Sequence, residues 1–334
     1  DLTLRDGTVY VFGHAAPLQA IRDRYGNQIT VSWSAVNAFG AGTGNITRLT
    51  SPNGRWIAFT YDASNRVTQA TDNLGRTVGY QYDASGRLWK VTDAAGGVTE
   101  HTYDASHRML TIKDPRGIVY LTNEYDANGR VSRQTQADST TYEFAYTLDG
   151  GGKVTQTDVT NPRGFITRTA FNASGYTTSV VEGVGTAQQR ATSITRQGGT
   201  QFVERVTDGL SRHTDFTYDA KGNVTGVTQL AGTQDAVTTS YAYESTFSQL
   251  TSITDPLSHT TTLTRDVMGN VTTITDPLGH QTTFTYNTAG QPLTATTPAG
   301  RRRWATTWGM SSRSRTRWVA PRRGSSMRRD ASWP

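Results

Sequence analysis

Tyrosine, aspartate and arginine recur together in this chain at a nearly fixed spacing, and whatever the protein does must start from them or from a few scattered alternatives. The alternatives are weak. With zero Cys there is no thiolate nucleophile, no Cys-ligated zinc or iron–sulfur cluster and no disulfide framework. The six histidines, His14, His101, His107, His213, His259 and His280, lack the i, i+4 helical spacing of a metalloprotease and read as structural or surface residues. Neither the EF-hand loop nor the nonapeptide calcium repeat is present. The Gly40-Ala-Gly-Thr-Gly44 run lacks the last glycine and the βαβ context of a dinucleotide loop, and Gly150-Gly-Gly-Lys153 is followed by Val154 where a P-loop has Ser or Thr. No Gly-x-Ser-x-Gly elbow occurs. The sequence therefore predicts no catalytic, cofactor-binding or metal-binding residues and no enzyme. The sequons at Asn45, Asn172, Asn223 and Asn270 arise in repeat turns and matter only on a eukaryotic secretory route.

The recurring unit is Tyr61-Asp62-Ala-Ser-Asn-Arg66, then Tyr82-Asp83-Ala-Ser-Gly86-Arg87, Tyr103-Asp104-Ala-Ser-His-Arg108 and Tyr125-Asp126-Ala-Asn-Gly129-Arg130. Looser copies follow at Tyr146, Phe171, Tyr218-Asp219 with Gly222, Tyr243-Glu244, Arg265-Asp266 and Tyr286-Asn287. A second element lies about half a repeat further on: Asp72 with Gly75, Asp93 with Gly96, Asp114 with Gly117, Asp255, and Asp276 with Gly279. Both are turn signals, since Asp bonds its own downstream backbone, Gly accepts positive φ and Pro pre-sets φ.

The segments between turns alternate Thr, Val, Ile and aromatics, as in Val271-Thr-Thr-Ile-Thr275 and Gln281-Thr-Thr-Phe-Thr-Tyr286. A period of two with β-branched residues predicts strands of about five to seven residues. One repeat is then one hairpin, and the fold class is all-β, a repetitive antiparallel hairpin meander. About two dozen strands at ~4.8 Å each would make a ribbon over about 100 Å wide. Twisted sheets that wide do not stay open, so the ribbon is expected to coil. Hydrophobic residues make up only 34% of the chain, which predicts a thin core. No apolar run approaches the ~18 residues of a membrane-spanning helix, and no cleavable leader opens the chain at Asp1.

The repeated Tyr-Asp-x-x-Gly-Arg and Thr-Asp-Pro-x-Gly patterns resemble the rearrangement-hotspot (RHS) or YD-repeat family, found in bacterial polymorphic toxins, toxin-complex cocoon subunits and teneurins. The resemblance covers residues 1–300 and is weakest over 146–217, where the spacing becomes irregular. It implies a hollow shell that coils around a C-terminal toxin cargo, with the missing remainder of the shell and that cargo as partners, and a secreted or cell-surface location in a bacterium. The family's core-terminal motif and its plug or delivery domain are not recognisable. The reading is of a non-catalytic shell fragment. A carbohydrate-binding or adhesion module, in which the aromatics stack on glycans, is the alternative. The Tyr rings are expected to pack between hairpins with their hydroxyls at the sheet surface, and each Arg to pair with an Asp of an adjacent turn. Open sheet edges predict self-association.

Charge is divided unevenly. Of the chain's 33 basic residues ten are Arg within 301–334, which holds one acid, Asp330; this leaves 23 basic against 26 acidic residues in the first 300. No nucleic acid is therefore expected to bind residues 1–300. The tail also holds four of the seven Trp, Trp304, Trp308, Trp318 and Trp333. Read one base earlier, the codons from Arg302 onward are compatible with a further repeat. Because Trp has one codon, the hidden frame is forced to Gly opposite Ala305, Gly309 and Val319, and to Ala opposite Pro334. The hidden Tyr-Asp falls opposite Thr306 and Thr307, where the next repeat is due after Tyr286. The expectation is a disordered tail produced by a frameshift near Arg301; a basic, aromatic arm is the other reading.

Overall fold

The computed structural model describes residues 1–4, 6–298 and 300–303, of which 301–303 through their backbone. The disordered tail expected at 301–334 thus lies outside the described residues from Trp304 onward. Twenty-eight strands, β1 (Leu2–Thr3) to β28 (Gly300–Arg303), form one sheet, and no helix occurs among the described residues. Each strand pairs antiparallel with its neighbours in sequence, from β1 with β2 (Val9–Phe12) to β27 (Pro292–Thr297) with β28. Through residues 146–217 the meander runs on, from β14 (Thr141–Leu148) to β20 (His213–Tyr218), with the longer connections 183–189 and 197–202.

The hairpins share one turn design. At Asp62–Arg66, the Asp62 N–H donates to the Arg66 carbonyl at 2.9 Å and the Asn65 N–H to the Asp62 carbonyl at 3.0 Å. The register slips between Thr60 and Tyr61. This is a three-residue loop closed by a bulge. Aspartate opens it because its Oδ1 accepts from the N–H groups of Ser64 at 2.9 Å and Arg66 at 3.0 Å. The fourth residue has positive φ, +58° at Asn65 and +80° at Gly86, which explains the repeated glycine. In a meander successive turns fall on opposite edges of the ribbon. The turns opened by Asp62, Asp83, Asp104 and Asp126 line one edge, the tyrosine rim. Those opened by Asp72, Asp93, Asp114, Asp255 and Asp276 line the opposite rim.

A single layer leaves little interior. Among described residues the buried apolar side chains are Ala20, Val31, Ala231 and Ala295, and none is fully buried. One face carries a half-buried row of facing residues, Phe59 with Ala70, Ala70 with Val78 and Tyr80 with Val91. The other is polar. There Glu100 of β10 (Val98–Tyr103) sits between Lys90 of β9 (Leu88–Thr92) and Lys113 of β11 (Met109–Lys113), at 2.9 and 2.8 Å. Threonine pairs such as Thr102 with Thr111, at 2.6 Å, join neighbouring strands.

The ribbon coils until it meets itself. The turn between β3 (Leu18–Arg22) and β4 (Gln28–Val36) belongs to the opposite rim, yet it lies on tyrosine-rim turns near the other end of the chain. Tyr25 donates its hydroxyl proton to Asn270 Oδ1 at 2.7 Å, 245 residues away, and Asn27 Nδ2 donates to the Ala289 carbonyl at 3.0 Å, 262 residues away. Only a ribbon curled through a full revolution brings its two rims together in this way.

Candidate functional site: the tyrosine ladder and the seam

Two features recur or stand out, a ladder along the tyrosine rim and the seam where the coil closes. The ladder is built from the turn outward. With Asp83 Oδ1 occupied by the Ser85 and Arg87 N–H groups, its Oδ2 takes the Arg87 Nε at 2.7 Å. The same ion pair forms at Asp62–Arg66, Asp104–Arg108 and Asp126–Arg130. Held flat by that pair, each guanidinium lies over the tyrosine of the next repeat: Arg66 over Tyr82 at 4.5 Å, Arg87 over Tyr103 at 4.9 Å, Arg108 over Tyr125 at 4.6 Å and Arg130 over Tyr146 at 5.1 Å. Each tyrosine hydroxyl then donates to a carbonyl of an earlier strand, Tyr61 to Ile46 in mid-strand and, at strand starts, Tyr82 to Val67, Tyr103 to Leu88, Tyr125 to Met109 and Tyr146 to Val131, within 2.6–2.8 Å. Carboxylate, guanidinium, ring and carbonyl thus link each hairpin to the next.

One expectation is corrected by this geometry. The arginine pairs with the aspartate of its own turn, because the i, i+4 reach across a tight loop is shorter than the step to the neighbouring one. The partly buried hydroxyl is engaged by a carbonyl of the preceding hairpin. The electrostatics follow the same contacts. Backbone N–H bonds, first of all from the fifth turn residue, hold the Asp62, Asp83, Asp104 and Asp126 carboxyls below the usual carboxylate range, and the arginine adds to this. Desolvation raises the Tyr82, Tyr103 and Tyr146 hydroxyls, so they stay protonated donors.

The remaining repeat residues open or complete turns. Asp72 pairs with Arg76 and Asp114 with Arg116; Asp93 accepts the Ala95 and Gly97 N–H groups; Asp255 and Asp276 face His259 and His280 at 3.0 and 2.9 Å. Gly75, Gly96, Gly117, Gly129, Gly222 and Gly279 all have positive φ. Tyr218 donates to the Val203 carbonyl, and Asp219 bonds Asn223 where other copies have arginine. Asp72 and Arg76 line an open hollow of about 490 Å³ beside Leu49, Trp56 and Ile57, and no group of three or more potential metal ligands occurs among the described residues.

Sequence reasoning missed the seam. Arg24 reaches the Gly269 carbonyl at 3.4 Å and lies over the Phe247 ring at 5.6 Å. A Cβ on Gly290 would stand 2.9 Å from the Tyr25 ring, and one on Gly269 would meet Arg24. Past Asn27 the seam widens into a groove of about 570 Å³ between Ser51–Asn53 and Asn287–Gln291. The available signal was Tyr25 itself, a large aromatic at a turn position that elsewhere on the rim carries Leu, Ala, Arg, Asn or Asp.

A one-layer meander, stitched hairpin to hairpin and coiled onto its own rim, defines a β-hairpin-repeat wall. The RHS repeat model matches residues 42–77, 61–98, 82–119, 245–281 and 269–302, so these stretches of the chain carry RHS repeats. No curated protein sequence matches the chain. Among solved structures it resembles TcdB2-TccC3 without its hypervariable C-terminal region, with TM-score 0.51 and 16% identity, over 88% of this chain and 19% of that one. A second likeness is to the Tc holotoxin pore of Photorhabdus luminescens, with TM-score 0.46 and 12% identity, over 90% of this chain and 22% of that one. The chain therefore spans about a fifth of the length of either structure.

Proposed function

We propose that the chain is a non-catalytic wall segment of an RHS-type shell whose intact form encloses a C-terminal toxin cargo. The observation that carries this reading is the seam. A sheet with no second layer and no fully buried side chain among the described residues gains a closed form by docking rim on rim, which is what a container wall requires and an enzyme scaffold does not. The TcdB2-TccC3 likeness supports the fold of such a wall. The glycan-binding alternative has less support, because one face of the Tyr82, Tyr103, Tyr125 and Tyr146 rings is covered by a guanidinium.

In the same reading residues 1–300 are the RHS segment and residues 301–334 an out-of-frame translation. Sequencing the gene from codon 280 past the stop tests the second part: a neighbouring frame without the hidden repeat overturns it. The first part is tested on the frame-restored product by limited proteolysis. The polypeptide that follows the repeats is expected to resist protease while attached and to be digested when produced alone. Equal digestion in both states would overturn the shell reading.

A further inference from the structure

At the seam the third residue of an opposite-rim turn does the gripping. Tyr25 holds that place in the Asp23–Asn27 turn, half-buried, with its hydroxyl on Asn270 and its ring against Gly290. The same turn frame recurs along the rim. Asp72, Asp208, Asp255 and Asp276 each accept the N–H of the third residue, which is Leu74, Leu210, Leu257 and Leu278 respectively. These leucines stand where Tyr25 stands, but no tyrosine rim faces them: they are 73%, 74%, 76% and 82% exposed. The turn itself does not require leucine, since Ala95 and Arg116 serve in the same place. The row is densest at Leu257 and Leu278, on successive opposite-rim turns, while between Leu74 and Leu210 the same place holds Ala95, Arg116, Asp138 and Arg163. Such apolar knobs along one edge mark an interaction surface.

We propose that this leucine row docks a second copy of the chain, whose tyrosine rim sits on it as residues 266–291 sit on Tyr25. The occupant follows from continuity with the seam. The chain carries the matching surface as well, for in the tyrosine-rim turn Asn172–Tyr176 the Gly175 Cβ site has nothing within 4 Å, whereas at Gly290 the Tyr25 ring occupies that place. One rim meets the other, so the interface is heterologous, and copies add coaxially in series and do not stop at a pair. This surface is distinct from the strand edges at β1 and β28, which would associate by backbone pairing.

Sedimentation velocity of the full chain, purified alone, tests the proposal. The weight-average sedimentation coefficient is expected to rise with concentration across the micromolar range. The L74S/L210S/L257S/L278S variant, altered only at exposed turn positions, is expected to weaken that association by more than about tenfold. A parent chain that stays monomeric throughout, or a folded variant that associates as the parent does, would overturn it. A second measurement does not depend on how that variant folds. The chain has no Cys, so Leu257→Cys carries a single photo-crosslinking label. Intermolecular crosslinks are expected to map to tyrosine-rim turns; crosslinks confined to strands or to the opposite rim would sink the idea.

Discussion

Residues 61–146 and residues 172–265 solve one packing problem with exchanged residues. In the first stretch the fifth turn residue is arginine and the residue that begins the next turn unit is tyrosine, with the guanidinium over the ring. In the second the roles reverse: Tyr176 is the fifth residue, and Arg196, one repeat on, lies over its ring at 5.2 Å. A repeat later both are aromatic, Phe202 and Tyr218, with ring centroids 4.9 Å apart. At Arg265 the tyrosine is missing altogether, yet Arg265 Nη2 donates to the Leu250 carbonyl at 2.9 Å, the counterpart of the bond from Tyr103 to Leu88. What recurs at Tyr82, Tyr103, Tyr125, Tyr146, Arg196 and Tyr218 is a flat group stacked on a flat group, plus a donor aimed at one carbonyl; Arg265 keeps the donor.

If contact matters more than residue identity, deleting the contact should be costly and exchanging its halves cheap. The largest effect is expected from Tyr103→Ala, which removes a half-buried ring, its hydroxyl bond and its cation–π partner at once. About 2–3 kcal/mol of stability should be lost in urea denaturation. Tyr103→Phe keeps the ring and should lose only about 1 kcal/mol, the hydroxyl bond. Hairpins that contact only their neighbours unfold in nearest-neighbour fashion, so Tyr103→Ala should also broaden the transition. Equal losses for Phe and Ala would assign the ladder's strength to the hydroxyl alone.

The middle effect concerns the exchanged pair. Tyr176→Arg places two cations together, and Arg196→Tyr stacks two aromatics, as Phe202 and Tyr218 already do. Each single variant removes the cation–π contact, and the first should be the worse, by about 1 kcal/mol. The double variant recreates the arrangement of Arg87 over Tyr103 and should recover most of the loss. A thermal-melt cycle reads the coupling directly. An additive cycle would mean that the orientation of the pair is fixed by its surroundings, and that the two stretches are not equivalent.

This comparison also explains what the sequence disclosed. The hairpin meander was legible because alternation and turn chemistry are local, written within six residues of Asp62 or Asp83. Coiling was legible because sheet twist forces it on any ribbon this wide. The ladder was half legible: Tyr, Asp and Arg were visible as a unit, but whether Arg66 turns to Asp62 or to a neighbouring turn depends on loop geometry. The stretch 146–217 looked degenerate because letters were aligned while the contact, with Tyr176 and Arg196 exchanged, persisted. The seam was not legible, since nothing local pairs Tyr25 with Asn270 245 residues on.

The smallest effect is electrostatic and separates the two stretches by reach. Hydrogen bonds from Lys113 and Lys90 hold the Glu100 carboxyl down from 4.5 to about 2, while Arg212 holds Asp208 from 3.8 down to about 2. Both folded values lie below the unfolded ones. Each group therefore adds stability that is present above its unfolded value and is lost as pH falls toward about 2. Solvent screens both sites, so neither should unfold the chain by itself. They differ in what they connect: Glu100 ties β9 to β11 through β10, whereas Asp208 and Arg212 lie in one turn. Amide hydrogen exchange during acidification should thus lose protection across all three strands around Glu100, but only within 208–212 at the other site. Glu100→Gln should make the three strands insensitive to that acid step. Protection lost equally widely at both sites would mean that the strands respond to acid as one sheet, independent of the ion pairs that bridge them.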